Sequence, residues 1–161
     1  TYGSAPDLDR AFAEAARALE WGVDTPRVHA IIAAGYNALG DLTAAVMHID
    51  RHIELVTTEL LATGPLVAGG SSTLDLVAGQ TYEIPVQAIA GEVISIATSS
   101  KDYWDTILVL LAPDGTPVLG SDDANAYFAA FDWKAETTGT YRLRVTFFES
   151  VNAGELLVSR D

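Results

Sequence analysis

The apolar residues of this chain recur at two different spacings, and the change between them divides the sequence in two. Up to residue 63 they recur every three or four positions, as on one face of a helix. The clearest run is Leu42, Ala45, Val46, Ile49, Ile53, Val56 and Leu60, a continuous stripe. Asp7 and Asp41 stand at helix starts as caps or first-turn acids, and Thr25-Pro26 reads as a cap followed by proline at the first helical position. Gly64-Pro65 stops the pattern, and Gly69-Gly70-Ser71-Ser72 has a flexible composition, so a linker is expected over 64–72. Beyond it the spacing falls to two. Residues 81–86, 92–97 and 141–145 alternate as half-buried strands do, and 107–111 is apolar throughout, as in a strand covered on both faces. Turn signals recur at Ala78-Gly79, Ala90-Gly91, Pro113-Asp114-Gly115, Thr138-Gly139 and Ala153-Gly154. Seven or eight short strands at this spacing predict a sandwich with jelly-roll or Greek-key connections. The expected fold is therefore α+β in two segments: helices over 1–63, and an all-β sandwich over 73–161.

Both segments are acidic. Nine acids and four bases fall in residues 1–64, and thirteen acids and five bases in 65–161. Nucleic acid and anionic membrane surfaces need a basic footprint, so nucleic acid is a poor partner and such membrane surfaces are disfavoured. Cations such as Ca²⁺ would be attracted, although acidity also serves solubility alone. The absence of cysteine removes disulfides, thiolate catalysis and cysteine zinc sites together. No run is long and apolar enough to span a membrane. Thr1-Tyr2-Gly3-Ser4 has neither the basic nor the apolar part of a signal peptide and lacks Met, so the chain is expected to be a piece of a longer protein.

The helical segment repeats itself at an offset of 34 residues. Asp7 matches Asp41, Leu8 Leu42, Ala11 Ala45, Arg17 Arg51 and Glu20 Glu54, with Leu19 and Ile53 conservatively paired. A period of this length with two helices per unit resembles the tetratricopeptide repeat. Residues 28–55 resemble one complete repeat. Ile32, Ala33 and Tyr36 take its apolar, small and aromatic positions, Gly40-Asp41 the turn, and Ala45 the close helix approach. His29 and His52 depart from the pattern, and the preceding unit contributes only its second helix. The resemblance, over residues 6–62, implies docking of a protein or peptide. Fewer than three repeats rarely stand alone, so either further repeats precede this stub or it packs on the β segment.

The β segment carries an ordered series of features: Gly79-Gln80-Thr81-Tyr82, Asp105 leading the 106–111 run, Pro113-Asp114-Gly115-Thr116, Ser121-Asp122-Asp123, Thr138-Gly139-Thr140-Tyr141, and Gly154 with Leu156-Leu157-Val158. Together they resemble the bacterial pre-peptidase C-terminal domain, found beside secreted proteases. That resemblance implies a β-sandwich without catalysis of its own, an extracellular or periplasmic setting, and matrix or substrate adhesion as one role.

Four constellations are candidates for chemistry. Asp105, Asp122, Asp123 and Asn125, with Asp102 nearby, could supply the oxygens Ca²⁺ prefers, though not as an EF-hand; the same groups could instead order loops through backbone hydrogen bonds. His48 and His52 are four apart on one helix, a metal-capable spacing, and the tetratricopeptide resemblance implies that His29 could face His52; a polar hairpin edge is the simpler reading. Nucleophilic catalysis lacks its parts: there is no Gly-x-Ser-x-Gly elbow, and every histidine lies in the helical segment. Asp122 and Asp123 are adjacent and cannot oppose each other across a glycoside. Tyr103 and Trp104 are candidate ligand-stacking residues, and because Phe147 and Phe148 are neighbours in a strand one of them must face outward, most simply against the helices. The expected function is a non-catalytic interaction or accessory module of an exported bacterial protein, without cofactor unless Ca²⁺ binds. The alternative is a carbohydrate- or collagen-binding module attached to a secreted hydrolase.

Overall fold

The computed structural model describes residues 5–122 and 128–161, which form three helices followed by nine strands. Helix α1 covers Ala5–Glu20, α2 Pro26–Leu39 and α3 Leu42–Val56. Thr25 caps α2, its hydroxyl accepting from the Val28 N–H at 3.4 Å, and Pro26 sits at the start, where its missing N–H costs nothing. Gly40 ends α2 with φ +78°, a conformation costly to any residue with a Cβ, and Asp41 at once caps α3 by accepting from the Ala44 N–H at 3.0 Å. The result is a tight α2–α3 hairpin. Helix α1 approaches α2 at Gly35, where a Cβ would stand 2.2 Å from the Phe12 ring.

The helical stripe was expected to run through residue 63, but α3 ends at Val56 and Glu59–Ala62 is a strand, β1. Thr57 is the cause. Its hydroxyl donates to the Ile53 carbonyl and accepts from Thr81, and the next two N–H groups donate to Gly79 O. These bonds draw the chain onto the sheet, where β1 runs parallel to β3 (Gln80–Ala88). Leu60, the last member of the stripe by spacing, is left 47% exposed on this edge strand. The stretch 64–72, expected as a linker, carries Leu66 into the sandwich core, and β2 (Ser71–Leu76) starts within it.

The remaining strands are β4 (Val93–Ser100), β5 (Thr106–Leu111), β6 (Pro117–Ser121), β7 (Ala130–Lys134), β8 (Gly139–Phe147) and β9 (Gly154–Arg160). One sheet has the order β1-β3-β8-β5-β6, the other β2-β9-β4-β7. Apart from the β5–β6 hairpin, each connection from β2 onward crosses between the sheets, the jelly-roll pattern. Strand alternation sends Ile84, Val86, Ile94, Ile96, Leu108, Leu110, Leu143, Val145, Leu156 and Val158 into the space between them. Arg160 is also inside, 5% exposed; its guanidinium donates to Leu66 O, Gln87 O and Glu92 Oε1 and so ties the incoming chain to both sheets.

Strand β5 is buried on both faces, as its uniform apolar run implies. Leu108 and Leu110 face the sandwich interior, while Ile107, Val109 and Leu111 meet Ala33, Val46, Ile49 and Ile53 of the hairpin. Gly120 of β6 lets α3 come close, since a Cβ there would lie 2.9 Å from Ile49 Cγ2. The helices therefore lie on the outer face of the five-stranded sheet, and their apolar stripe is shared between helix and strand partners.

Candidate functional site

Where the hairpin meets the end of β8, a cleft of about 390 Å³ opens. Its walls are Pro26, Arg27, Ala30 and Ile31 of α2, His52 and Val56 of α3, and Phe148, Glu149 and Ser150 after β8. Arg27, Ala30 and Ile31 follow the three-four spacing of one helix stripe, so a single face of α2 is turned to the opening. Phe148 is the outward member of the Phe147-Phe148 pair, and it packs against the helices as expected. His52 spans the back of the cleft: Nδ1 lies 2.9 Å from Pro26 O, Nε2 2.9 Å from Phe148 O, and its ring meets the Phe148 ring at 4.3 Å between centroids. One buried side chain thus links both walls. The rim carries one charge of each sign, Arg27 and Glu149.

The histidines do not pair as the repeat suggests. His29 faces His48, with their Nδ1 atoms 2.7 Å apart, and not His52. His29 Nε2 lies 2.7 Å from Asp24 Oδ1, and Arg51 binds both Asp24 oxygens and Glu54. Arg51 and His29 together hold the Asp24 carboxyl down at about 2. Burial and the charge on His29 hold His48 below the ordinary histidine range. The rings are engaged by one another and by Asp24, and among the described residues no group of three or more metal-ligating side chains converges.

Of the expected Ca²⁺ ligands, Asp123 and Asn125 lie outside the described residues. Asp105 and Asp122 are half-buried, Asp105 at the head of β5 and Asp122 just past β6. Tyr103 and Trp104 lie together in the β4–β5 loop, 73% and 40% exposed. Tyr103 has φ +58°, which residues other than glycine seldom adopt, and its ring stacks toward Phe128 at 6.4 Å. The Trp104 indole N–H donates to Ala153 O at 3.2 Å, which fixes that ring against the β8–β9 loop.

The cleft residues on α2 were not singled out by sequence reasoning. The usable signal was Phe147-Phe148, which demanded an outward aromatic; nothing in the chain's spacing told which helix face would meet it.

No protein-family model matches the chain, and no curated protein sequence matches it. Among solved structures it is similar to the pre-peptidase C-terminal domain of a collagenase from Bacillus anthracis, at 17% identity and a TM-score of 0.52, over 64% of this chain and 95% of that domain. A periplasmic inhibitor of g-type lysozyme from Aeromonas hydrophila aligns at 14% identity and a TM-score of 0.49, over 64% of this chain and 98% of the inhibitor. The first likeness is one of fold: the chain carries a β-sandwich of the kind seen in that collagenase domain.

Proposed function

We propose that the chain is a non-catalytic interaction module that holds an extended peptide or protein segment in the cleft between α2, α3 and the end of β8, with the sandwich as its rigid support. The observation that carries this reading is the cleft itself, apolar at Ile31, Val56 and Phe148 and flanked by Arg27 and Glu149. A cleft at the joint of two structural units, mostly apolar with a few polar groups, is the usual form of a ligand site. A peptide answers both features, with side chains for the floor and backbone amides for the rim. The helical hairpin is read as a tetratricopeptide-like unit whose open end is closed by the sheet. The sandwich's likeness to an accessory domain supports a place outside the cytoplasm, beside or within a larger exported protein.

Selection from a phage-displayed peptide library tests this. Binders to the wild-type chain are counter-selected on Ala30→Arg, which fills the cleft from α2, and measured by calorimetry. The expected result is a peptide family bound at least about tenfold more weakly by Ala30→Arg, a difference of about 1.4 kcal/mol. Equal binding by both chains, or no enrichment, refutes the reading.

A second reading, a carbohydrate- or collagen-binding surface, is favoured by Tyr103 and Trp104 alone. Tyr103 is exposed at a positive φ and a hydrogen bond fixes Trp104, which leaves rings at the surface for a ligand to stack on. Sedimentation with insoluble polysaccharides and collagen, comparing wild type with Tyr103→Ala, tests it; equal sedimentation of the two sinks it.

A further inference from the structure

We propose that His29 and His48 form an acid-released latch that holds α2 against α3. Their Nδ1 atoms are 2.7 Å apart, a contact that has room for one hydrogen. One ring donates and the other accepts. His29 Nε2 must donate to Asp24, because a carboxylate only accepts. Two arrangements satisfy these contacts: His48 donates to a neutral His29, or a protonated His29 donates to a neutral His48. When both rings are fully protonated, two N–H groups point at each other and the contact is lost.

The surroundings make that loss consequential. His29 is 5% exposed, so water does not readily replace His48 as its partner. The two rings meet edge to edge, their centroids 5.0 Å apart and their planes 28° apart, and Tyr36 stacks on His48 at 5.7 Å. The charged groups facing the pair are Asp24 from the α1–α2 turn, then Arg51, which binds Asp24, and Glu54, which binds Arg51. Asp50 and His52 lie on the same helix as His48. The charged side chains of α1, from Asp7 through Asp9, Arg10, Glu14 and Arg17 to Glu20, are all exposed. Strands β5 and β6, packed on α3 from the sheet side, contain no titratable residue. Asp24 is thus the carboxylate bonded to the pair, and it serves His29 through Nε2, leaving the Nδ1 conflict unrelieved.

Below the ordinary histidine range the unfolded chain takes up a proton that His48 in the folded chain resists. Stability is therefore complete above that range and declines as the pH falls through it. Because α2 and α3 supply the helical walls of the cleft, release of the latch loosens those walls. The latch itself stands whether or not the cleft takes a peptide.

Thermal unfolding of wild type and His48→Gln, followed from about pH 7.5 to about pH 5, tests the latch across the histidine range. Glutamine has both a donor and an acceptor, so it can meet His29 Nδ1 in either protonation state. The expected result is a Tm that falls several degrees in wild type and less than half as far in His48→Gln. Parallel curves overturn the latch. A wild-type measurement covers the case in which the variant does not fold: ¹⁵N-imidazole spectra over the same interval. His48 is expected to titrate together with shifts at His29 and in the α2–α3 amides, and titration of His48 with no change at either overturns it.

Discussion

Ile53 is 1% exposed and belongs to the buried cluster that joins both halves of the molecule, with Ala33 of α2 and Ile107, Val109 and Leu111 of β5 among its members. Ile53→Ala removes three carbons from this contact. At about 0.8 kcal/mol per buried carbon the lost transfer energy is about 2.4 kcal/mol. The cavity left behind raises the total into the range of about 2–5 kcal/mol seen for aliphatic residues cut to alanine in cores. With a urea slope of about 2 kcal/mol per molar, a loss of about 3 kcal/mol lowers the unfolding midpoint by about 1.5 M. The informative part is which signals move. Ellipticity at 222 nm follows the helices, and Trp133, inside the sandwich, follows the β half once the exposed Trp21 and Trp104 are replaced by Phe. If hairpin and sandwich share one core, both signals shift together in one transition. If the helical signal moves to lower urea while the Trp133 transition stays at its wild-type midpoint, the hairpin is a separate unit and the reasoning from a shared core is wrong.

Gly120→Ala places a Cβ 2.9 Å from Ile49 and is expected to cost about 1–3 kcal/mol by overpacking, read as a lower urea midpoint; an unchanged midpoint means α3 can shift freely on β6. Arg160→Ala removes the buried guanidinium that serves Leu66 O, Gln87 O and Glu92, and is expected to cost about 3 kcal/mol or more, while a loss below about 1 kcal/mol means water serves those groups as well. The Asp24 carboxyl, held at about 2 in the folded chain against a higher value when unfolded, contributes stability above about pH 4 that disappears as the pH falls toward 2. The Tm gap between wild type and Asp24→Asn is therefore expected to be widest near neutral pH and to close in strong acid; a gap constant with pH contradicts the assignment.

Where local chemistry decides, the sequence was readable. Thr25-Pro26 and Gly40-Asp41 set the hairpin through caps and a left-handed glycine, and period-two runs gave the strands their inward faces. The apolar run at 107–111 announced a strand covered twice, and Phe147-Phe148 announced an outward ring. Other features depend on partners distant in sequence. Leu60 continues the helical spacing, yet Thr57 meets Thr81 and turns the chain into β1. The tetratricopeptide resemblance placed His29 opposite His52, but α2 and α3 pack so that His48 takes that place and His52 reaches Phe148, ninety-six residues away. The cleft is made by such long-range meetings, so its α2 face carried no local signature.

The direct measurement of the proposed role is an amide chemical-shift map of the ¹⁵N-labelled chain titrated with a peptide from the library selection. Binding in the cleft is expected to perturb Arg27, Ala30, Ile31, Val56, Glu149 and Ser150 first, with the outer strands β2 and β7 unmoved. Shifts centred on Tyr103 and Trp104, or spread over the sandwich with the α2 face silent, would contradict the cleft as the binding site.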